Sequence, residues 1–312
     1  MNKTIKIIVI ILTLTLLCSC SGGSSVKIKL GTGGASGTYF PYGESISALL
    51  HQYVPGVEVK TISTGASKTN IEMLAEGSLQ MAIAQNDIID YARKGQLLFS
   101  SKLTGFSAIC TLFPEACQIV AGTGISSIEE LPGKRVSLGG KGSATECGAL
   151  QILETYGITP ENIITVNLGF AESAQALREG EIDAFFCVAG VPTTAVAELA
   201  DAMSINLLEI DAKHVEALCA KYPFYTAFKI PRGSYTDCNV SVNTLSVRAT
   251  LIVSDKLDAD LVYSITRALF EHGDVLLDKA RYLNPRYSTA GVPIPFHPGA
   301  ERYYNEIGVF DE

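Results

Sequence analysis

The sequence predicts an α/β protein of two similar lobes. From Val26 onward, short apolar segments alternate with segments whose apolar residues recur every three or four positions, a pattern typical of alternating strands and helices. A helix–glycine–strand pattern also occurs twice in the chain. The 312 residues suffice for one large domain or two medium ones.

The elements follow in order along the chain. Short apolar runs predict strands at Lys27–Leu30, Val57–Ile62, Met81–Ala84, Arg135–Leu138, Ile163–Val166 and Ala184–Val188. Helical periodicity predicts helices at Tyr42–Tyr53, Asn70–Glu76, Thr145–Tyr156, Ser173–Glu179, Val191–Leu199 and Asp258–Phe270. Such alternation favours largely parallel sheets. Strand character returns at Val240–Val247 and Ala249–Val253, which predicts that the chain passes back through the first lobe.

The internal repeat consists of residues 70–84 and the similar residues 173–187. Each copy reads as a short amphipathic helix, a glycine able to adopt the left-handed conformation at the helix end, and a buried strand. A chance match between generic βα units is the alternative. The matched positions are Leu74/Leu177, Glu76/Glu179, Gly77/Gly180 and the aliphatic pair Leu79/Ile182.

The N-terminus has the pattern of an export signal. Lys3 and Lys6 precede the apolar run from Ile7 to Leu17, which is too short to span a bilayer as a helix. The following Cys18-Ser19-Cys20 resembles a bacterial lipobox, which implies a signal peptide of residues 1–19 and a lipid on Cys20. A soluble secreted protein cut nearby or an uncleaved anchor is the alternative. Residues 20–25 are rich in Ser and Gly and read as a flexible tether.

The charge balance is acidic. The chain has 24 Lys+Arg against 32 Asp+Glu, a formal net charge of −8, and loss of the two lysines in residues 1–19 would make it −10. Binding to nucleic acid requires clustered basic residues, so we exclude a nucleic-acid partner. No later stretch approaches 18 apolar residues, so no other membrane span is expected.

Six cysteines remain beyond residue 20, namely Cys110, Cys117, Cys147, Cys187, Cys219 and Cys238. Cys110 and Cys117 flank a plausible turn and are the first candidates for a disulfide, with buried free thiols as the alternative. No Cys-x-x-Cys motif occurs and the four histidines lie far apart, so no metal site is expected.

The Gly-rich segment from Gly31 to Gly43 follows the first strand and precedes the first helix. It is not a dinucleotide fingerprint, because the third required glycine falls on Ser36, and it lacks the Gly-Lys-Ser/Thr of a P-loop. Glycines permit close approach of the backbone to a ligand, and N–H groups at a helix start favour an anion. A tight structural turn is the alternative. The candidate ligand residues here are Thr32, Gly33, Gly34, Gly37, Thr38 and Tyr39.

A second segment, Ser137 to Glu146, repeats this design in the other half of the chain. Ser143 or Thr145 can cap the following helix, whose first turn offers N–H donors to a carboxylate. Glu146 either complements the helix dipole or meets a ligand ammonium group. The candidate residues here are Ser143, Ala144, Thr145 and Glu146.

Polar residues also follow two buried strands, where open α/β sheets place their ligands. Gln85, Asn86 and Asp87 follow one strand, although Asp87 could simply cap a helix. Gly190 and Thr193 occupy the matching place in the second lobe. Tyr225, like Tyr39, is a candidate wall of the pocket, with simple surface packing as the alternative for Tyr225.

Catalytic motifs are missing from the sequence. Gly-x-Ser-x-Gly and His-Glu-x-x-His are both absent, and no histidine has a nucleophile nearby in the chain. We therefore expect a binding protein without catalytic residues or a cofactor. An exported enzyme using the same cleft is the alternative.

Several stretches together resemble the TAXI-type solute receptors of TRAP transporters. They are residues 31–43, 63–67, 133–139, 170–174, 182–186, 190–193 and 297–304. The resemblance implies a type II periplasmic-binding-protein fold, with two α/β lobes joined by a two-strand hinge. It also implies a membrane permease as partner and, as ligand, glutamate, glutamine or a related small carboxylate. Ala144 departs from the family, which often has glycine there.

We place lobe 1 at residues 26–114 and 245–312, and lobe 2 at 115–244. Two Gly-rich helix starts are then expected to face each other across a cleft that closes on the solute. A receptor of the same fold for a thiamine-precursor-like compound or an inorganic anion is a further alternative. An adhesive surface antigen would instead have no buried cleft.

Overall fold

The computed structural model describes residues 25–276 and 281–310. The predicted signal peptide, Cys20 and all but the last residue of the tether lie outside the described residues. None of the helices within these ranges is long and apolar enough to cross a bilayer.

Strands and helices alternate along most of the chain. The strands are β1 Val26–Gly31, β2 Val57–Ile62, β3 Met81–Gln85, β4 Phe106–Gly122, β5 Arg135–Ser137, β6 Ile164–Val166, β7 Ala184–Ala189, β8 Ile205–Leu208, β9 Thr226–Ile230 and β10 Val242–Ser254. The helices are α1 Tyr39–Tyr53, α2 Ser67–Ala75, α3 Asn86–Lys94, α4 Ala144–Thr155, α5 Phe170–Arg178, α6 Thr194–Ala202, α7 Ala212–Lys221, α8 Ala259–Glu271, α9 Pro285–Thr289 and α10 Pro298–Glu306.

The strands form one sheet whose two halves have the same design. Its order is β2-β1-β3-β10-β4-β7-β5-β6, with β8 on β4 and β9 on β10. In one half β1 pairs in parallel with β2 and β3, and in the other β5 pairs in parallel with β6 and β7. The long strands β4 and β10 run antiparallel at the centre and belong to both halves. The predicted parallel sheets and two-strand connection are confirmed.

Each half of the sheet has its own hydrophobic core, and the central strands pass from one core to the other. Along β4, Phe113 packs in the first core and Cys117 in the second. Along β10, Val247 packs in the second core and Ala249 in the first. The molecule therefore consists of two lobes that share a pair of continuous strands.

The two copies of the internal repeat have the same local structure. Gly77 and Gly180 both have positive φ, +85° and +72°, at the ends of α2 and α5. In both copies the glycine N–H donates to the carbonyl three residues earlier at 3.1 Å, from Gly77 to Leu74 and from Gly180 to Leu177. Each turn delivers the chain into a buried strand, β3 or β7.

The predicted turn between Cys110 and Cys117 is wrong. Both residues lie on β4, and seven residues of extended chain separate their Cα atoms by roughly 23 Å, far beyond the span of a disulfide. The six described cysteines are all free thiols, and three of them, Cys110, Cys117 and Cys187, are buried, as the alternative interpretation held. Pro114 and Glu115 suggested a turn, but pairing with β10 and β7 keeps this segment extended.

Helix α6 also differs from its prediction, since it begins at Thr194 rather than Val191. Thr193 is its N-cap and Pro192 precedes the cap.

Candidate functional site

A cavity of about 330 Å³ lies between the two lobes. This volume is at the small end of the range for small-molecule sites, roughly 300–1,000 Å³. From lobe 1 it is lined by residues 33, 34, 36–39, 64–67 and 85, and Glu115 lines it from β4 at the boundary between the lobes. From lobe 2 it is lined by residues 140, 143–145, 169–172, 188 and 189.

Four helices begin at the wall of this cavity. Their N-cap residues, Thr38 of α1, Ala66 of α2, Ser143 of α4 and Gly169 of α5, all line it. The first turn of a helix has N–H groups without intrahelical acceptors and carries the positive end of the helix dipole. Only Ser143 caps its helix with a side chain, by accepting from Glu146 N at 3.1 Å. The helix starts therefore present donors suited to an anionic group.

The start of α2 is held in a strained conformation. Ala66 has φ +64°, a region that residues with a Cβ rarely adopt. Its N–H donates to Thr64 Oγ1 at 3.1 Å, and Thr64 Oγ1 lies 2.6 Å from Asn70 Oδ1. Asn70 Nδ2 in turn donates to Thr32 O at 2.7 Å and to Ile83 O at 2.8 Å. This buried network aligns the start of α2 with the loop before α1.

An acidic side chain, Glu115, lies where β4 passes between the lobes. Its side chain lines the cavity but is only 2% exposed, and Tyr39 Oη donates to its Oε2 at 2.7 Å. Burial is the main cause that raises the pKa of Glu115 to about 8, and the nearby charge of Asp87 adds to the rise. The hydrogen bond from Tyr39 opposes this shift. Burial likewise raises the pKa of the Tyr39 phenol well above its usual value.

A small chamber adjoins the cavity behind Glu115. It has about 10 Å³ of space, close to the room one water needs, and its polar side chains include Asp87, Cys117, Tyr225 and Ser246. Asp87 is 2% exposed, and its Oδ1 has no hydrogen-bond partner among the described residues. Burial raises the pKa of Asp87 to about 7. The cavity and chamber thus share an acidic end.

No basic side chain balances these acids. Within the described parts of the chain, the residues that line the cavity and the chamber include no Lys, Arg or His. Buried carboxylates normally have a cationic partner or stay protonated. Among these residues the cavity has no nucleophile next to a histidine base.

The structure brings nine of the predicted ligand residues to the cavity. They are Gly33, Gly34, Gly37, Thr38, Tyr39, Gln85, Ser143, Ala144 and Thr145. Asp87 lines the adjoining chamber instead. It lies in the first turn of α3, whose N-cap is Gln85, so it is not the cap residue considered as its alternative role. Tyr225 also lines the chamber and donates to Gln151 Oε1 at 2.6 Å.

The other predicted residues lie outside the cavity wall and brace its surroundings. Thr32 Oγ1 donates to Ile62 O at 2.9 Å. Asn86 Oδ1 accepts from Arg248 N at 2.9 Å. Glu146 accepts from Gly142 N at 2.6 Å through Oε2, which fixes the second Gly-rich loop. The Gly190 carbonyl accepts from Thr193 Oγ1 at 2.8 Å.

Sequence reasoning missed three parts of the wall. Glu115 was hidden in the predicted turn, although a lone acid in an apolar run signals a special position. Residues 64–67 and 169–172 form the starts of α2 and α5. They fall largely within two of the stretches that carry the family resemblance, and this overlap was the sequence feature that could have identified them.

Two of the contacts between the lobes include hydrogen bonds away from the shared strands. At one, Thr38 Oγ1 donates to Gly190 O and Ala195 N donates to Ser36 O, both at 3.2 Å. At the other, Gln151 Nε2 of lobe 2 donates to Tyr91 Oη of lobe 1 at 2.8 Å. The ring of Tyr91 also packs edge-on against Phe224, with centroids 5.5 Å apart.

Comparison with known proteins agrees with this architecture. The model of the NMT1-like family matches residues 30–308. A structure described as a putative L-cystine ABC transporter from Listeria monocytogenes is 17% identical, covers 82% of this chain and 94% of its own, and has a TM-score of 0.50. A binding-protein component of an ABC phosphonate transporter from Pseudomonas aeruginosa is 12% identical, covers 80% and 75%, and also has a TM-score of 0.50. At these identities the likeness concerns the fold, which is the two-lobe periplasmic-binding-protein fold.

Proposed function

The chain belongs to the NMT1-like family, and from this premise we propose that it is an extracytoplasmic solute receptor. In this proposal it binds a small carboxylate such as glutamate or glutamine between its lobes and delivers it to the membrane permease of a TRAP-type transporter. The names of the two structural neighbours, both from transporters, support a role in transport rather than catalysis. The TAXI-like sequence stretches favour the TRAP type.

One observation carries the choice of ligand class, the convergence of four helix starts on one cavity. Two starts come from each lobe, so an anionic group in the cavity can accept N–H donors from both at once. An inorganic anion alone would leave the acidic end at Glu115 unused. A thiamine-precursor-like aromatic compound would be expected to need more ring contacts than Tyr39 and Phe170 provide.

Ligand binding is then coupled to movement of the lobes about β4 and β10. We assign residues 26–114 and 245–312 to lobe 1 and residues 115–244 to lobe 2. A solute that contacts both lobes binds the closed form more tightly than the open form, and this difference in affinity drives closure. The permease would recognise the closed form.

The proposal also includes a site of anchoring. Residues 1–19 would be removed as a signal peptide, and a lipid on Cys20 would attach the receptor to the outer face of the cytoplasmic membrane or to the cell surface. Residues 20–25 would serve as the tether.

Isothermal titration calorimetry of the purified protein with L-glutamate, L-glutamine and small dicarboxylates tests the function. We expect micromolar or tighter binding of at least one of them. Thr38→Pro removes the backbone N–H at the N-cap of α1 together with the hydroxyl that bonds Gly190 O, and it should weaken that binding. If none of these carboxylates binds at micromolar concentration, the proposed ligand class is wrong.

A further inference from the structure

The acidic end of the cavity has a property that a plain carboxylate ligand would not use. Glu115 and Asp87 are both 2% exposed, they interact electrostatically, and both line the chamber behind the cavity. Two neighbouring buried carboxylates cannot both ionise unless a positive charge is close by.

The side chains that face Glu115 do not provide that charge. They are Tyr39 from α1, Gln85 from β3 and Asp87 from α3, together with Cys117 from β4 and Ser246 from β10 in the chamber. Of these, Tyr39 donates one hydrogen bond to Oε2. All of them are neutral or acidic, so a cation for this end must come with the ligand.

The same cavity is lined by four helix starts, which present N–H donors, as described above. A molecule with a carboxylate and an ammonium group matches the two ends. We propose that Glu115 binds a primary ammonium group of the solute, with Asp87 as the second acid of this end, so that the solute is an amino acid rather than a simple carboxylate. This inference rests on the proposed function and narrows its ligand class.

The test compares matched ligands that differ only in the amino group. Calorimetry at pH 7 would compare L-glutamate with glutarate and L-aspartate with succinate, and would include L-glutamine as a further ligand. Each ligand would be titrated into the wild-type protein, Glu115→Gln and Asp87→Asn. We expect the deaminated ligand of the pair that binds to be at least about tenfold weaker. We expect Glu115→Gln to weaken the amino acid by at least about thirtyfold, as for loss of one partner of a buried charged pair, and to change the deaminated ligand less than threefold. Asp87→Asn should weaken the amino acid by a smaller factor.

Glu179→Gln is the control, since it removes one exposed carboxylate at the far end of α5 and should leave all affinities unchanged. Thermal unfolding of each variant shows whether it folds, and if Glu115→Gln does not fold, the ligand comparison and Asp87→Asn still decide. Glutarate or succinate binding as tightly as its amino acid would overturn the inference while leaving the receptor function intact. Binding by no member of the panel would overturn the proposed ligand class, and the inference with it.

Discussion

The hydrogen bond between Gln151 and Tyr91 tests whether contact between the lobes contributes to ligand affinity. Replacing Tyr91 with Phe removes the acceptor of the 2.8 Å bond from Gln151 Nε2 and keeps the ring that packs against Phe224. Tyr91 is 6% exposed and Gln151 8% exposed, so water substitutes poorly for the lost oxygen. A neutral buried hydrogen bond contributes about 0.5–1.5 kcal/mol.

This bond joins the two lobes, so under the proposed closure its loss should destabilise the form in which the lobes touch, and not either lobe. When the closed form is the minor one without ligand, the whole free-energy change appears in the apparent affinity. The expected result is roughly a 2- to 13-fold rise in the Kd of the best-binding solute, measured by calorimetry. Small-angle scattering should show that more solute is needed to reach the compact form.

The matched control is Tyr156→Phe, which also removes a tyrosine hydroxyl that is hydrogen-bonded to another residue. Tyr156 Oη accepts from Asp211 N at 3.1 Å, and both residues belong to lobe 2. This variant should leave the Kd unchanged. If Tyr91→Phe and Tyr156→Phe have the same Kd as the wild-type protein, the bond between the lobes does not take part in closure and the reasoning is refuted.

Three further predictions concern pH, packing and anchoring. The raised pKa values of Glu115 and Asp87 mean that folding favours their protonated forms, so the free energy of unfolding of the ligand-free protein should fall from pH 5 to pH 8. Urea titrations should show a smaller fall for Glu115→Gln. A fall with pH equal to that of the wild-type protein would contradict the prediction. A Cβ on Gly299 would lie 2.2 Å from Ala259 O, so Gly299→Ala should lower the free energy of unfolding by at least about 2 kcal/mol, whereas Gly124→Ala, with no atom within 4 Å, should change it little. Cys20→Ser should move the protein from the membrane fraction to the soluble fraction, and an unchanged distribution would exclude the lipid anchor.

Local sequence chemistry was sufficient to predict the βα units of both lobes. Glycines at helix ends, helical periodicity and short apolar strands act within a few residues of each other, and α2 and β3 illustrate this well. The same holds for the loops before α1 and α4, whose glycines and capping residues predicted helix starts that line a cavity.

Elements fixed by distant contacts were not predicted. Strand β4 contains Pro114 and Glu115, which favour a turn locally, yet its ladder with β10 and β7 spans the molecule. Because Glu115 owes its burial to this ladder, its place in the cavity could not be derived from the neighbouring residues. Helix α3 was not among the predicted helices, although the alternative role of Asp87 as a helix cap pointed to one.

The position of Glu115 on β4 implies an order of events in solute capture. Residues at the axis of a rotation move least, so the acidic end of the site is nearly the same in the open and closed forms. The helix starts lie outside the two shared strands, two in each lobe, and under the proposed closure the two pairs would come together only as the lobes approach. A solute would therefore be held first at the axis, and the meeting of its other end with both lobes would be the step that commits the receptor to the closed form.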